Sequence, residues 1–266
     1  MKLGIEGKRA LVTGSDSGVG KAIARTLAAE GVRLIVQGAD RAGVQRTAAA
    51  IIGDGGCAET VVGDLSTAEG AAGVIAAVFA KGGTDILVNN ARGSPSELSE
   101  WLSIPDEDWE NKFAFHVMSA VRTTRAFVPA MRRKGWGRII NISSASVTAP
   151  MAAIADYQAS AAALVNLTFS LARSLAGTGV TANVVSYGPG RAPGAAICAG
   201  RMNDHGPAGL ARGRHQRGTM IDRCCGTEEI SAAAALLVST LSDSTTGTNL
   251  HVGGGEASIF HTETVR

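Results

Sequence analysis

Short, nearly all-apolar runs alternate along this chain with longer stretches in which apolar residues recur every three or four positions. The first pattern belongs to strands buried on both faces, the second to helices laid against them. Strands are expected over residues 8–13 (Lys-Arg-Ala-Leu-Val-Thr), 33–37, 59–65, 84–91, 136–143 and 178–185. Helices are expected over 21–30, 67–80, 106–134 and 155–176, and a last one opens at Thr227. Ser103 or Asp106 can cap the helix 106–134, which Gly135 stops. Gly177 stops 155–176, and Thr227-Glu228-Glu229 carries a capping signal. Strand and helix taking turns in this way predict an α/β fold. No internal repeat or linker divides residues 1–266, so a single domain is expected.

Composition narrows the field further. At 266 residues and 45% hydrophobic content the chain can bury one substantial core. A formal net charge of +2 gives no reason to expect nucleic acid as a partner. Four cysteines, two of them adjacent at Cys224 and Cys225, form neither a metal-ligand spacing nor a disulfide framework. No metal is therefore expected, and the thiols read as reduced, in a cytoplasmic protein. No secretory apolar segment and no uninterrupted apolar run near 18 residues appears, so neither export nor a membrane is expected.

The first strand runs directly into Thr13-Gly14-Ser-Asp-Ser-Gly18-Val-Gly20, and a helix follows. Strand, glycine turn, helix is the context in which backbone amides can approach a pyrophosphate at a helix N-terminus. At the end of the second strand a carboxylate would hold the ribose hydroxyls of NAD, and an arginine just after it the 2′-phosphate of NADP. Gly38 and Ala39 stand at those two places, with Asp40 and Arg41 one or two positions late. The choice between NAD and NADP stays open on these residues.

Further along, Ser144-Ala-Ser-Val-Thr-Ala-Pro-Met-Ala-Ala-Ile-Ala-Asp-Tyr157-Gln-Ala-Ser-Ala161 places a serine thirteen positions before a tyrosine at the start of an alanine-rich helix. With the glycine turn, this resembles the short-chain dehydrogenase/reductase family over nearly the whole chain. The resemblance implies a Rossmann-like, doubly wound, mostly parallel sheet of about seven strands in the order 3-2-1-4-5-6-7, with helices on both faces. It also implies an NAD(P)-dependent oxidoreductase acting on a carbonyl/hydroxyl substrate, with Ser144 polarising the carbonyl and Tyr157 passing a proton. The family's NADP-users often carry a basic residue near the glycine turn, where this chain has Asp16, and that tilts the expected cofactor slightly toward NAD. Cofactor contacts carried over are Gly14, Ser17, Gly18, Val19 and Gly20 in the turn, Asp64 and Leu65 after the third strand, and Asn90 and Ala91 after the fourth. For Asp64 a helix cap before Ser66 is the competing reading.

Several positions depart from the family's pattern. The family writes its tyrosine motif Tyr-x-x-x-Lys, and the lysine position here is Ala161. Ionising a tyrosine, pKa ~10, at neutral pH costs roughly 4 kcal/mol. An ammonium about 4 Å away at an effective dielectric near 20 returns about that much. Alanine returns nothing. Aligning Trp109 and Met131 with the family pattern puts His116 where its catalytic asparagine belongs. Arg92 replaces the glycine of Asn-Asn-Ala-Gly, and either swings out or adds a cation near the substrate. After the sixth strand Tyr187 replaces a proline and Ala192 a threonine that touches the nicotinamide carboxamide in the family.

Residues 191–226 show little periodicity and correspond to the family's substrate lid. They hold six arginines (191, 201, 212, 214, 217 and 223). Arg92, Tyr187 and Arg191 are candidate substrate contacts, and the small-molecule substrate is expected to be anionic or carrier-bound. Two non-redox alternatives stand beside the oxidoreductase. One is a repurposed cyclase, dehydratase or isomerase using His116, Tyr157 and Ser144, since a neutral imidazole is a better base at pH 7 than an unassisted tyrosine. The other is a non-catalytic partner subunit. The apolar stripes on 106–134 and 155–176 resemble those that pair family members into homodimers or homotetramers.

Overall fold

The structure is a computed structural model and describes residues 2–91, 99–147, 152–188, 221 and 223–255. Seven strands lie in one sheet in the order β3-β2-β1-β4-β5-β6-β7, every pairing parallel. They are β1 (Arg9–Val12), β2 (Arg33–Gly38), β3 (Cys57–Val62), β4 (Ile86–Asn89), β5 (Gly137–Ser144), β6 (Val180–Tyr187) and β7 (Asn249–Val252). The helices are α1 (Gly18–Ala29), α2 (Arg41–Gly53), α3 (Ala68–Ala80), α4 (Asp106–Phe113), α5 (Ser119–Lys134), α6 (Ala155–Ser174) and, after the lid segment, α7 (Thr227–Val238). The doubly wound order expected from the resemblance is the one observed.

Alternation within the strands explains why both faces are covered. Ala10, Val12, Leu34, Val36, Ile86, Val88, Ile140 and Ile142 face one way and pack with Ile23 and Leu27 of α1 and Ile230, Ala234 and Leu237 of α7. Leu11, Ile35, Leu87 and Ile139 face the other way, against Val74 and Val78 of α3, Phe127 and Met131 of α5 and Ala172 of α6. A period of two with apolar residues on both phases reads in sequence as a continuous apolar run.

Boundaries differ from expectation in ways with local causes. The helix expected over 106–134 is interrupted: a π turn over Ala114–Met118 joins α4 to α5 and carries His116 at its centre. Neither Ser103 nor Asp106 caps it. Pro105 is the N-cap and makes no side-chain bond, and Asp106, Glu107 and Asp108 fill the first turn, where negative charge suits the helix dipole. Gly135 does end α5, with φ +66°. Thr67, not Asp64, caps α3, accepting from Gly70 N at 3.0 Å. Gly226, not Thr227, is the N-cap of α7, and Glu229 reaches back to Gly226 N at 2.9 Å. Helix α1 starts at Gly18, inside the glycine turn, so its first amides belong to the turn itself.

Candidate active site

All the described candidate residues gather at the C-terminal edge of the sheet, where open parallel sheets bind ligands. The glycine turn is held there by a small polar lock. Thr13 Oγ1 donates to Val88 O (3.3 Å) and accepts from the amides of Asn90 and Ala91, both at 2.9 Å. Asn90 Nδ2 donates to Thr13 O (3.1 Å) and Gly14 O (2.9 Å). Asn90 Oδ1 is buried and has no partner among the described residues. Gly14 and Gly18 lie at φ +58° and +54°, in the left-handed region that favours glycine. A Cβ at Gly20 would stand 2.8 Å from Gly14 C, so only hydrogen fits.

These features fit a dinucleotide. Ser17, the N-cap of α1, makes no side-chain cap bond, and no acidic residue lies in the first turn. The amides that open the helix, and its positive dipole end, are thus left for an anion. Val19 is buried under the turn, while Ser17 is exposed. Below the third strand's end Leu65 is buried and Asp64 exposed, with Asp64 accepting from Ser66 N (2.8 Å) and Ser66 Oγ (2.9 Å).

The second half of the site lies on β5, the π turn and α6. Ser144 is the last residue of β5. Tyr157 and Ala161 stand one helical turn apart on α6, on one face, and both are buried. The His116 ring packs edge-on against Tyr157, with centroids 4.9 Å apart and planes at 83°. His116 Nδ1 lies 2.7 Å from Ser160 Oγ, whose hydroxyl donates to Tyr157 O at 2.8 Å. With its one hydrogen so committed, Ser160 accepts from Nδ1–H. The neutral imidazole then carries its lone pair on Nε2. His116, Ile142, Ser143, Ser144, Tyr157, Ala161 and Leu164 line a cavity of about 10 Å³, the size that just admits one water. Alanine at 161 is what leaves this space open.

Beneath both halves runs a buried polar chain whose members the sequence did not single out. Thr123 Oγ1 donates to Asn89 Oδ1 (2.7 Å), Asn89 Nδ2 to Asn141 Oδ1 (2.8 Å), and Asn141 Nδ2 to Thr168 Oγ1 (2.7 Å). It ties β4, β5, α5 and α6 together under the site. A polar residue inside an apolar strand, as at Asn141, was the only sequence signal for it.

Tyr187 pairs in register with Ser144 but is packed in the apolar layer with Ile142, Val185, Cys225 and Ile230, at 4% exposure. Arg92, Arg191 and most of the lid lie outside the described residues. Among the described residues no group of three or more His, Cys, Asp or Glu could hold a metal ion, and no helix is long and apolar enough to cross a membrane.

Comparison with known proteins agrees with this geometry. Residues 14–256 match the model of a family described as enoyl-(acyl carrier protein) reductase. The chain is 35% identical over 262 residues to a Bacillus subtilis protein described as an uncharacterized oxidoreductase, YvrD, covering 96% of this chain and 98% of that one. It is 35% identical over 255 residues to the 3-oxoacyl-[acyl-carrier-protein] reductase FabG of Escherichia coli, covering 95% and 98%. Among solved structures, L-sorbose reductase of Gluconobacter frateurii, complexed with NADPH and L-sorbose, superposes with a TM-score of 0.89 at 30% identity, over 99% of this chain and all of that one. The chain belongs to the short-chain dehydrogenase/reductase family, whose members are NAD(P)-dependent oxidoreductases.

Proposed function

We propose that this chain is an NAD(P)-dependent oxidoreductase for a carbonyl/hydroxyl substrate in which His116 takes over part of the role that the lysine position, Ala161, has lost. The observation that carries this reading is the edge-on packing of His116 on Tyr157 beside a water-sized cavity at Ala161. The bound nicotinamide would supply or accept the hydride. The chain's own residues then handle the oxygen and its proton. Ser144 donates a hydrogen bond to the substrate oxygen and polarises it. Tyr157 gives its phenolic proton to that oxygen in reduction and takes one back in oxidation. An imidazolium about 5 Å from the phenol ring stabilises the phenolate by roughly 3 kcal/mol at an effective dielectric near 20. That is most of what an ammonium would give. His116 can recover its proton through the cavity that it shares with Ser143 and Ser144.

The sign of the pH dependence follows. Carbonyl reduction, which needs the acid, should fall as pH rises and the imidazole loses its proton, and alcohol oxidation should rise. The test is nicotinamide-coupled turnover of a panel of ketones and alcohols. Tyr157→Phe should cost about 10²–10⁴-fold, and His116→Gln should remove the imidazole's inflection from the pH profile. A panel with no turnover, or a His116→Gln protein with an unchanged profile, overturns the assignment.

One observation favours a second reading. The Nε2 lone pair of a neutral His116 is a competent base without any hydride transfer, as a cyclase, dehydratase or isomerase would need. Product formed with no change in nicotinamide absorbance would identify it. An anionic or carrier-bound substrate is supported by the arginines of 191–226 and by the printed name of the FabG relative. A homo-oligomer is supported by the exposed Phe113, Met118 and Phe169 on α4, the π turn and α6. Free thiols at Cys57 and Cys224 support a reducing, cytoplasmic setting.

A further inference from the structure

The end of β2 has no side chain of its own to offer a ribose. Gly38 is its last residue, in ordinary strand conformation, yet a Cβ there would stand 2.6 Å from Cγ of Asp16. The space into which a side chain at position 38 would project is already filled by the carboxylate of Asp16, delivered from the glycine turn. The carboxylate is loosely held: Oδ2 accepts from Asp40 N at 3.3 Å and Oδ1 from Ser17 Oγ at 3.4 Å. Among the described residues no cation lies within ion-pair distance of it. Asp40, the strand-end candidate from sequence, is committed elsewhere. It caps α2, accepting from Ala42 N and Gly43 N at 3.0 Å each, and meets Arg46 Nη2 at 3.4 Å.

We propose that Asp16 stands in for the missing strand-end carboxylate and makes the site select NAD(H) over NADP(H). The inference rests on the dinucleotide site described above and adds the residue that chooses the cofactor. A carboxylate with open lone pairs accepts from the 2′- and 3′-hydroxyls of an adenosine ribose at this place. The same charge, with no cation in ion-pair contact among the described residues, repels a 2′-phosphate at contact distance. This preference is opposite to the NADPH seen in the L-sorbose reductase complex.

The test is equilibrium binding of NADH and NADPH to the purified protein, by calorimetry or by quenching of its three tryptophans. NADH should bind at least about 10-fold tighter than NADPH. Asp16→Ser, with Asp16→Asn as the milder replacement if that variant melts early, should bring the two affinities within about threefold. Because the atoms nearest a Cβ at position 38 belong to Asp16, Asp16→Ser combined with Gly38→Asp should restore the preference for NADH. NADPH bound as tightly as NADH, a ratio unmoved by either Asp16 variant, or a double variant that fails to restore it overturns the role of Asp16 and leaves the dinucleotide site standing. Binding of neither nucleotide overturns the site itself, and the inference with it.

Discussion

Putting the lysine back at position 161 should damage the protein before it repairs the chemistry. Ala161 is 3% exposed, and the cavity beside it holds about 10 Å³. A lysine stem at 161 would have to share this small space with His116, Ser144, Tyr157 and Leu164, so those side chains must shift to admit it. Overpacking of this kind costs about 1–3 kcal/mol, and burying an ammonium without a partner adds more until the amine gives up its proton. Ala161→Lys alone should therefore lose roughly 2–4 kcal/mol. For a domain of this size that is roughly a 5–15 °C lower melting temperature. His116→Asn alone should lose about 1–3 kcal/mol, from the ring contact with Tyr157 and the bond to Ser160. In the double variant the shorter amide vacates the space and can accept from the ammonium, so the losses should not add. A coupling energy of about 1–3 kcal/mol in favour of the pair is expected. Thermal or urea unfolding of the four proteins measures it. An Ala161→Lys protein as stable as its parent, or losses that add to within about 0.5 kcal/mol, would refute the idea that residues 116 and 161 compete for one space.

Two further outcomes bear on stability. Asn141→Leu should destabilise by roughly 2–4 kcal/mol, because Asn89 Nδ2 and Thr168 Oγ1 lose their buried partner together, and denaturant unfolding measures it. Glu229 has its carboxyl held down to about 2, first by its side-chain bond to Arg223 and then by Gly226 N at the head of α7. A depressed carboxyl stabilises the fold above its unfolded value, near 4.5, and that contribution is lost as pH falls toward 2. The stability difference between the parent and Glu229→Gln should thus be constant at neutral pH and shrink between about 4.5 and 2. A difference that stays level down to pH 2 would show that the pair with Arg223 does not form.

What the sequence determined by itself was whatever depends on near neighbours. Apolar runs bounded by glycine located six strands, to within a few residues. The turn from Thr13 to Gly20 was legible because left-handed backbone and close approach demand glycine at fixed spacing. That Ser144 and Tyr157 line one cavity was legible only through the family resemblance. Helix α2 was not foreseen, since its alanine-rich text carries few large apolar residues and its buried face is Val44, Thr47, Ala48 and Ile51.

Tertiary structure decided the rest, because the partners are far apart in the chain. Asn90 meets Thr13 across 77 residues and Asn89 meets Asn141 across 52, so no local pattern announces either bond. The π turn that carries His116 is a change of hydrogen-bond register inside an otherwise regular helix, and the apolar periodicity runs through it unbroken. Whether Asp16 or Asp40 faces a ligand could not be read from their order in sequence. The structure shows only that the first amides of α2 claim Asp40, and that the missing side chain of Gly38 gives the Asp16 carboxylate its place.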